Sequence, residues 1–248
     1  MSTSSTQGSR LISRVLPVAV KFWLQSQLDD IGELNFDIQA TDRQVLTGHI
    51  PGIALSAQHA VYHGVHITDV AVQASDIQIN IGQVLRGKAL RLKQAFPIDG
   101  DVRLTSQDLV KSSTDSSLAQ GLLEVWQTLL TREDVATEIV THYGTEMEAL
   151  QSKPLHAYQP KLQPVDGGLL LSLMRQEQAA ITLCGRLTVE QGHILKLVET
   201  HWCLPNGEQV LSQALTNFPW DLGQQVQLDT LVIKNEQLTC HCKIMVQP

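Results

Sequence analysis

Three groups of side chains in this sequence have the types to do chemistry. Four histidines, His49, His59, His63 and His66, crowd into eighteen residues. Four cysteines, Cys184, Cys203, Cys240 and Cys242, all lie in the last third. Four cations, Arg86, Lys88, Arg91 and Lys93, are interleaved with leucines in VLRGKALRLK. The histidines make a poor metal site. On an extended strand His59 and His63 stand roughly 13 Å apart, too far to share an ion, and His66 has the opposite parity. Strand histidines facing solvent or satisfied locally account for them better.

The cysteines are a sharper case. Cys240-His241-Cys242 sets two thiols on one face of a strand, and His201-Trp202-Cys203 sets a histidine and a thiol together on another. Side by side, these strands could assemble a Cys₃His zinc site. Zinc ribbons, however, carry their paired cysteines on tight turns, and one intervening residue on a strand leaves the sulfurs about 6–7 Å apart. Buried thiols on a sheet face are the simpler reading, so no metal and no cofactor are expected. The chain also lacks a Walker loop, a Gly-x-Gly-x-x-Gly turn, a Gly-x-Ser-x-Gly elbow and a His-Glu-x-x-His helix, so no catalytic residue is assigned.

The basic connector is the most distinctive local feature. A loop of this kind can place Leu85 and Leu90 shallowly in a bilayer while Arg86, Lys88, Arg91 and Lys93 meet lipid phosphates, each worth about 1 kcal/mol at an anionic surface. The alternative is a solvated basic loop balanced by nearby aspartates. RNA is disfavoured because no aromatic side chain accompanies the cations.

The elements that must carry these residues follow from periodicity. After a polar tail over residues 1–9, Leu11, Val15, Val18 and Phe22 recur at helical spacing from Arg10 to about Ile31, with Trp23 widening the apolar face. Ser9 is the expected N-cap, and Pro17 is expected to kink this helix or mark its start. Its cations lie at the beginning and Asp29 and Asp30 at the end, an order that opposes the helix dipole. A basic end kept at that cost suits anionic headgroups; the alternative is an ordinary core-packing helix.

Strand patterns follow at 33–41, 53–63 and 65–74, with Gly64 at a hairpin turn and a bulge expected near Thr68-Asp69. Ile77, Ile79 and Ile81 continue the alternation, and short strands are expected at 90–92 and 102–104. A helix pair is expected over 118–130 and from about 131, where Thr131-Arg132-Glu133-Asp134 resembles a capping sequence, to Leu150. Three prolines, Pro154, Pro160 and Pro164, then break the chain. Strands return at 169–174, 180–189 and 193–203, a short helix is expected at 208–215, and a hairpin turning at Asn235-Glu236 closes the chain. The order is α+β with long antiparallel strands. The expected organisation is a tail over 1–9 and one domain over 10–248. That domain comprises a helix and first sheet half (10–112), a helical insertion (113–164) and a second sheet half (165–248).

Composition agrees with a sheet protein: 43% hydrophobic, only 17% charged, net charge −7. Residues 1–112 are neutral and the whole deficit lies beyond them, which argues against a nucleic-acid partner. The apolar run at Val15–Val20 is six residues long and ends at Lys21, too short for an export signal or a membrane span. A cytoplasmic location with reduced thiols is therefore expected.

Several stretches carry a family resemblance: the DRQVLTGHIPG turn, the AVYHGVHI hairpin, the INIGQVLRGKALRL connector, LTSQDL, and the C-terminal LDTLVIKNEQLTCHCKIMV. With these the sequence resembles the cyanobacterial branch of the LmeA-like phospholipid-binding family, closely over residues 9–111 and more loosely over 165–247. The 113–164 segment departs most. The resemblance implies a long twisted antiparallel sheet wrapped around the N-terminal helix, similar to the TULIP architecture, with the helix pair as an addition. It implies a non-enzymatic protein holding phospholipid, or a similar amphipathic lipid, in an apolar groove at a membrane periphery. Phe22, Trp23, Leu85 and Leu90 are the expected apolar contacts, and Arg86, Lys88, Arg91 and Lys93 the expected headgroup contacts. The alternative is a structural adaptor whose groove is filled by its own side chains and whose partner is a protein.

Overall fold

The computed structural model describes residues 6–114, 117–144 and 155–248; within the first helix, side chains are described from Val15 onward. Its elements, in order, are α1 (Thr6–Gln27), β1 (Asp30–Gln39), α2 (Asp42–Thr47), β2 (His49–Tyr62), β3 (Val65–Gln78), α3 (Ile81–Val84), β4 (Phe96–Thr105) and α4 (Ser106–Ser112). Then come α5 (Ser117–Leu130), α6 (Glu133–Tyr143), a 3₁₀ turn (Leu155–Ala157), β5 (Gln159–Val165), β6 (Gly168–Arg175), β7 (Gln178–Glu190) and β8 (Ile194–Cys203). The last are β9 (Gln209–Leu211), β10 (Phe218–Asp221), β11 (Val226–Lys234) and β12 (Gln237–Val246). The class is α+β with large antiparallel sheets and a few helices.

There are two sheets. Sheet I runs β1-β2-β3-β4-β12-β11, and sheet II runs β10-β8-β7-β6-β5 with β9 paired to β8. The closing hairpin therefore crosses from the second half of the chain to complete the first sheet, with β12 against β4 from Val246↔Phe96 to Gln237↔Thr105. Grouping residues 165–248 as one sheet half missed this. Strand pairing over such a sequence distance leaves no local signal.

Two cores hold the layers. In the first, α5 and α6 cover sheet II, and Trp126, Val135, Ile139, Leu173, Ile181, Trp202 and Leu215 are fully buried. In the second, Leu16 and Val20 of α1 meet Val45 of α2, Ile81 and Val84 of α3, Leu90, and Ile50, Ile77, Ile79 and Phe96 at one end of sheet I. α1 is continuous through Pro17 and begins at Thr6, so Ser9 lies inside it instead of capping it. Residues 42–47, between the strand patterns expected at 33–41 and 53–63, form the helix α2. A capping box makes it helical: the Gln44 amide donates to Thr41 Oγ1 at 3.4 Å, and the Thr41 amide donates to Gln44 Oε1 at 2.9 Å. It stops at Gly48, whose φ of 83° is left-handed and whose absent Cβ would meet the Ile79 carbonyl at 2.5 Å.

Other local expectations also change. The β2–β3 ladder keeps one register from His49↔Gln78 to Tyr62↔Val65, so no bulge interrupts it. The slip in parity between Ile67 and Val70 is matched on the partner strand, where Ala57 and Ala60 are both buried on either side of His59, whose φ is +53°. Pro160 and Pro164 sit in β5 on the edge of sheet II, where a missing amide is tolerated. The expected helix at 208–215 is strand β9 followed by a turn, because a carboxylate on α6 takes the amides there. Met147 and Leu150, expected on the second helix of the pair, lie outside the described residues.

That carboxylate is Glu138. It accepts hydrogen bonds from Trp202 Nε1 (2.8 Å), Ser212 Oγ (2.5 Å) and the amides of Gln213 (2.8 Å) and Ala214 (2.9 Å). Burial alone would raise its pKa, but these donors outweigh burial and hold it below the ordinary 4.5. A depressed carboxyl stabilises the fold above its unfolded pKa, and that contribution fades as pH falls through the folded value. Glu138→Gln should therefore cost about 1–3 kcal/mol at pH 7 in urea denaturation, and the gap to wild type should close below about pH 4.

Candidate functional site

Register decides which face of sheet I is apolar. Three rows of directly paired residues cross all six strands. One row is Ile38, Ile53, Ala74, Ile98, Ile244 and Val226. The next is Phe36, Leu55, Val72, Gly100, Cys242 and Leu228, and the third is Leu34, Ala57, Val70, Val102, Cys240 and Leu231. None of these eighteen residues is charged, yet only Ala57 and Gly100 are buried. At ordinary strand spacings the rows cover roughly 24 by 14 Å. Of these residues only Ile38, Ile53, Ala74, Ile98 and Phe36 pack against either core. A contiguous apolar surface of this extent on a protein exterior marks a binding surface more often than a passive one.

The surface continues at the end of the sheet into a groove between α1 and the basic connector. Its volume is about 740 Å³, and Val15, Val18, Ala19, Phe22 and Trp23 of α1 face Val84, Lys88, Ala89 and Leu90 across it. The second core joins the two regions, since Trp23 and Leu24 pack on it from the helix and Phe36, Ile38, Ile53 and Ile98 from the sheet. Three of the four expected apolar contacts, Phe22, Trp23 and Leu90, thus line one groove. Phe22 is 69% exposed and Val18 54%, far more than folding alone would leave on so large an apolar side chain.

The connector's two leucines have separate roles. Leu85 is 47% exposed just after α3, as a surface-inserting residue must be. Leu90 is only 8% exposed and belongs to the second core, so it forms the groove's floor and does not project, contrary to the expected shallow insertion. Asn80 holds the loop in this shape: its side-chain amide donates to the Ala89 carbonyl at 3.0 Å, and its Oδ1 accepts the Arg91 amide at 2.8 Å. Asn80 is 8% exposed, and its role could have been suspected from an amide residue ending an isoleucine run. Arg86, Lys88, Arg91 and Lys93 are all exposed, and among the described residues none of them makes an ion pair. Among the described residues, no aspartate balances this loop.

The opposite face of sheet I is polar and carries two shallow depressions of about 430 and 980 Å³ lined by Asn35, Asp37, Ser56, Gln73, Asp99 and Asp101 among others. Several of its charges pair with one another. His241 Nδ1 lies 3.0 Å from Asp101 and Nε2 3.1 Å from Asp99, while Lys243 reaches Asp229 at 2.8 Å and Arg103 pairs with Asp69. Such a face has little to offer an acyl chain.

The cysteines divide between the sheets. Cys184 and Cys203 sit on sheet II, Cys240 and Cys242 on sheet I, and all four are free. The Cys₃His arrangement is not assembled, and among the described residues no three His, Cys, Asp or Glu side chains gather as a metal-holding group. Cys240 and Cys242 stand two residues apart on the same face of β12. Among the described residues, no helix is long and apolar enough to cross a membrane.

A comparison with known families matches residues 8–243 to the LmeA-like phospholipid-binding family, and the chain belongs to it. Searches among curated proteins and among solved structures match nothing.

The groove's floor and rim should separate by stability. Leu90→Ala should cost about 2–4 kcal/mol in chemical denaturation, whereas Phe22→Ser and Leu85→Ser should stay within about 0.5 kcal/mol of wild type. Equal losses at all three positions would show that Phe22 and Leu85 are structural.

Proposed function

We propose that this LmeA-like protein binds a phospholipid, or an amphipathic lipid of similar chemistry, and does not transform it. Acyl chains lie along the apolar rows of sheet I and the α1–connector groove, and the headgroup stays at the connector. The observation that carries the reading is the joining of two opposite properties at one end of the molecule: an open apolar surface, and four cations without carboxylate partners among the described residues. Burial of an acyl chain of about fifteen methylenes gives roughly 12 kcal/mol before the costs of association, so an apolar surface of this size suffices energetically. Each cation beside an anionic leaflet adds about 1 kcal/mol, which falls with salt.

The same arrangement suits peripheral contact with a membrane. Phe22 is exposed on the α1 side of the groove, Leu85 is exposed next to Val84 of its other side, and the cations follow Leu85 along the connector. The family match supports the lipid; the groove, the rows and the connector support the mode of binding.

Native mass spectrometry of protein incubated with anionic phospholipid vesicles and then separated from them should show a lipid adduct. In flotation, the variant with Arg86, Lys88, Arg91 and Lys93 all changed to glutamine should lose binding on the order of tenfold or more at low salt. Flotation unchanged in that variant would remove the connector from the mechanism. A bare chain in the spectrometer would point instead to a protein partner on the same apolar surface.

A further inference from the structure

A sheet ends in edge strands whose outer amides and carbonyls can pair with any extended chain. Proteins guard such edges with proline, lysine, a bulge, shortness or a covering element. Sheet II is guarded on both sides: β5 carries Pro160 and Pro164, while β9 and β10 are three and four residues long, with Pro219 in β10. On sheet I, β11 has a bulge between Leu228 and Thr230, and its Leu228 amide donates to the Gly192 carbonyl of the β7–β8 turn at 2.6 Å. β1 has none of these guards. It runs for ten residues without proline, lysine or arginine, and keeps one register against β2 from Asp30↔Val61 to Gln39↔Gly52. Among the described residues, no strand pairs with its outer side.

What β1 does carry is charge of one sign. Asp30, Glu33 and Asp37 are exposed, and among the described residues none of them makes an ion pair. Glu33, Asn35 and Asp37 stand on the polar face, opposite the uncharged Gln58, Ser56 and Ala54 of β2. On the other face Leu34, Phe36 and Ile38 begin the three apolar rows. A second copy fits this edge poorly. Antiparallel self-pairing of β1 never sets an acid against a cation, and centred on Asn35 it puts Glu33 of each copy opposite Asp37 of the other. Like charges directly opposite destabilise a strand pair. The edge therefore disfavours its own kind and suits an extended chain of opposite charge.

We propose that β1 is a strand-addition site for a protein partner, an extended segment with two cations four residues apart on one face and aliphatic residues on the other. Main-chain hydrogen bonds along the outer edge supply the attachment, and side-chain pairs supply the choice of partner. Strand alternation puts the two cations opposite Glu33 and Asp37, a small polar residue opposite Asn35, and aliphatic residues opposite Leu34, Phe36 and Ile38. Sheet I thereby gains a strand beyond β1, and each apolar row gains a residue. The site lies on the sheet's edge, and nothing in it depends on the lipid reading.

The test uses lipid-free, full-length protein and the end-capped peptide Thr-Val-Lys-Val-Thr-Val-Lys-Val-Thr, with a counterpart in which both lysines are replaced by glutamate. In fluorescence anisotropy at low salt the lysine peptide should bind about tenfold more tightly than the glutamate peptide. Hydrogen exchange with the lysine peptide bound should show new amide protection over Asp30–Gln39. The double variant Glu33→Lys, Asp37→Lys changes two exposed side chains, so it should keep the wild-type unfolding midpoint and reverse the preference between the peptides. Failure of the lysine peptide to bind at millimolar concentration, equal binding of the two peptides, or protection gained only outside β1 would each overturn the proposal on the wild-type protein alone. An unreversed preference in the folded double variant would do the same. Concentration-dependent dimers of the peptide-free protein that protect β1 would overturn it in favour of a second copy.

Discussion

A six-stranded sheet has two faces, and the described helices of this chain cover only part of one of them. α1, α2 and α3 close one end of sheet I, and α5 and α6 are spent on sheet II. The three apolar rows across the middle of sheet I are thus left with accessible surface. Hydrophobic burial is the dominant favourable term in folding, so apolar area left open is stabilisation the fold has forgone. The architecture is consistent with that area being covered by something other than the chain's own side chains.

The rest of the molecule keeps this surface in a single shape. Glu138 ties the turn after β9 to α6 and so fixes Trp202, the centre of the first core. Asn80 fixes the connector so that Leu90 is the floor and the cations point away from the core. Asp108 caps α4 through the Thr105 amide at 2.9 Å and also accepts from Thr68, pinning the helix to β3. These are polar side chains serving backbone amides, and each acts beside an apolar surface that would otherwise be free to collapse or slide.

The two faces of sheet I also divide the labour of charge. On the polar face His241, Lys243 and Arg103 pair with Asp69, Asp99, Asp101 and Asp229. Among the described residues the connector's cations have no carboxylate partner, although the chain as a whole is acidic. Net charge therefore says little about where this protein meets an anion; the uncompensated local charge says more.

Period-two alternation and turn residues were enough to place most strands of sheet I, the α5–α6 region and the final hairpin, because those signals are local. The interleaving of Arg86, Lys88, Arg91 and Lys93 with leucines likewise stood out in the sequence, as did Phe22 and Trp23 on one helical stripe. The sequence could not assign the partners. That β12 pairs with β4, that Phe22 and Leu90 line the same groove, that Leu90 is buried while Leu85 is exposed, and that Cys240 and Cys242 fall in the open rows all depend on contacts between segments far apart in the chain. Parity along a strand says that two faces exist, but only the neighbouring elements decide which is covered. Tertiary packing decided that here because helices were available for one end of the apolar face and not for its middle.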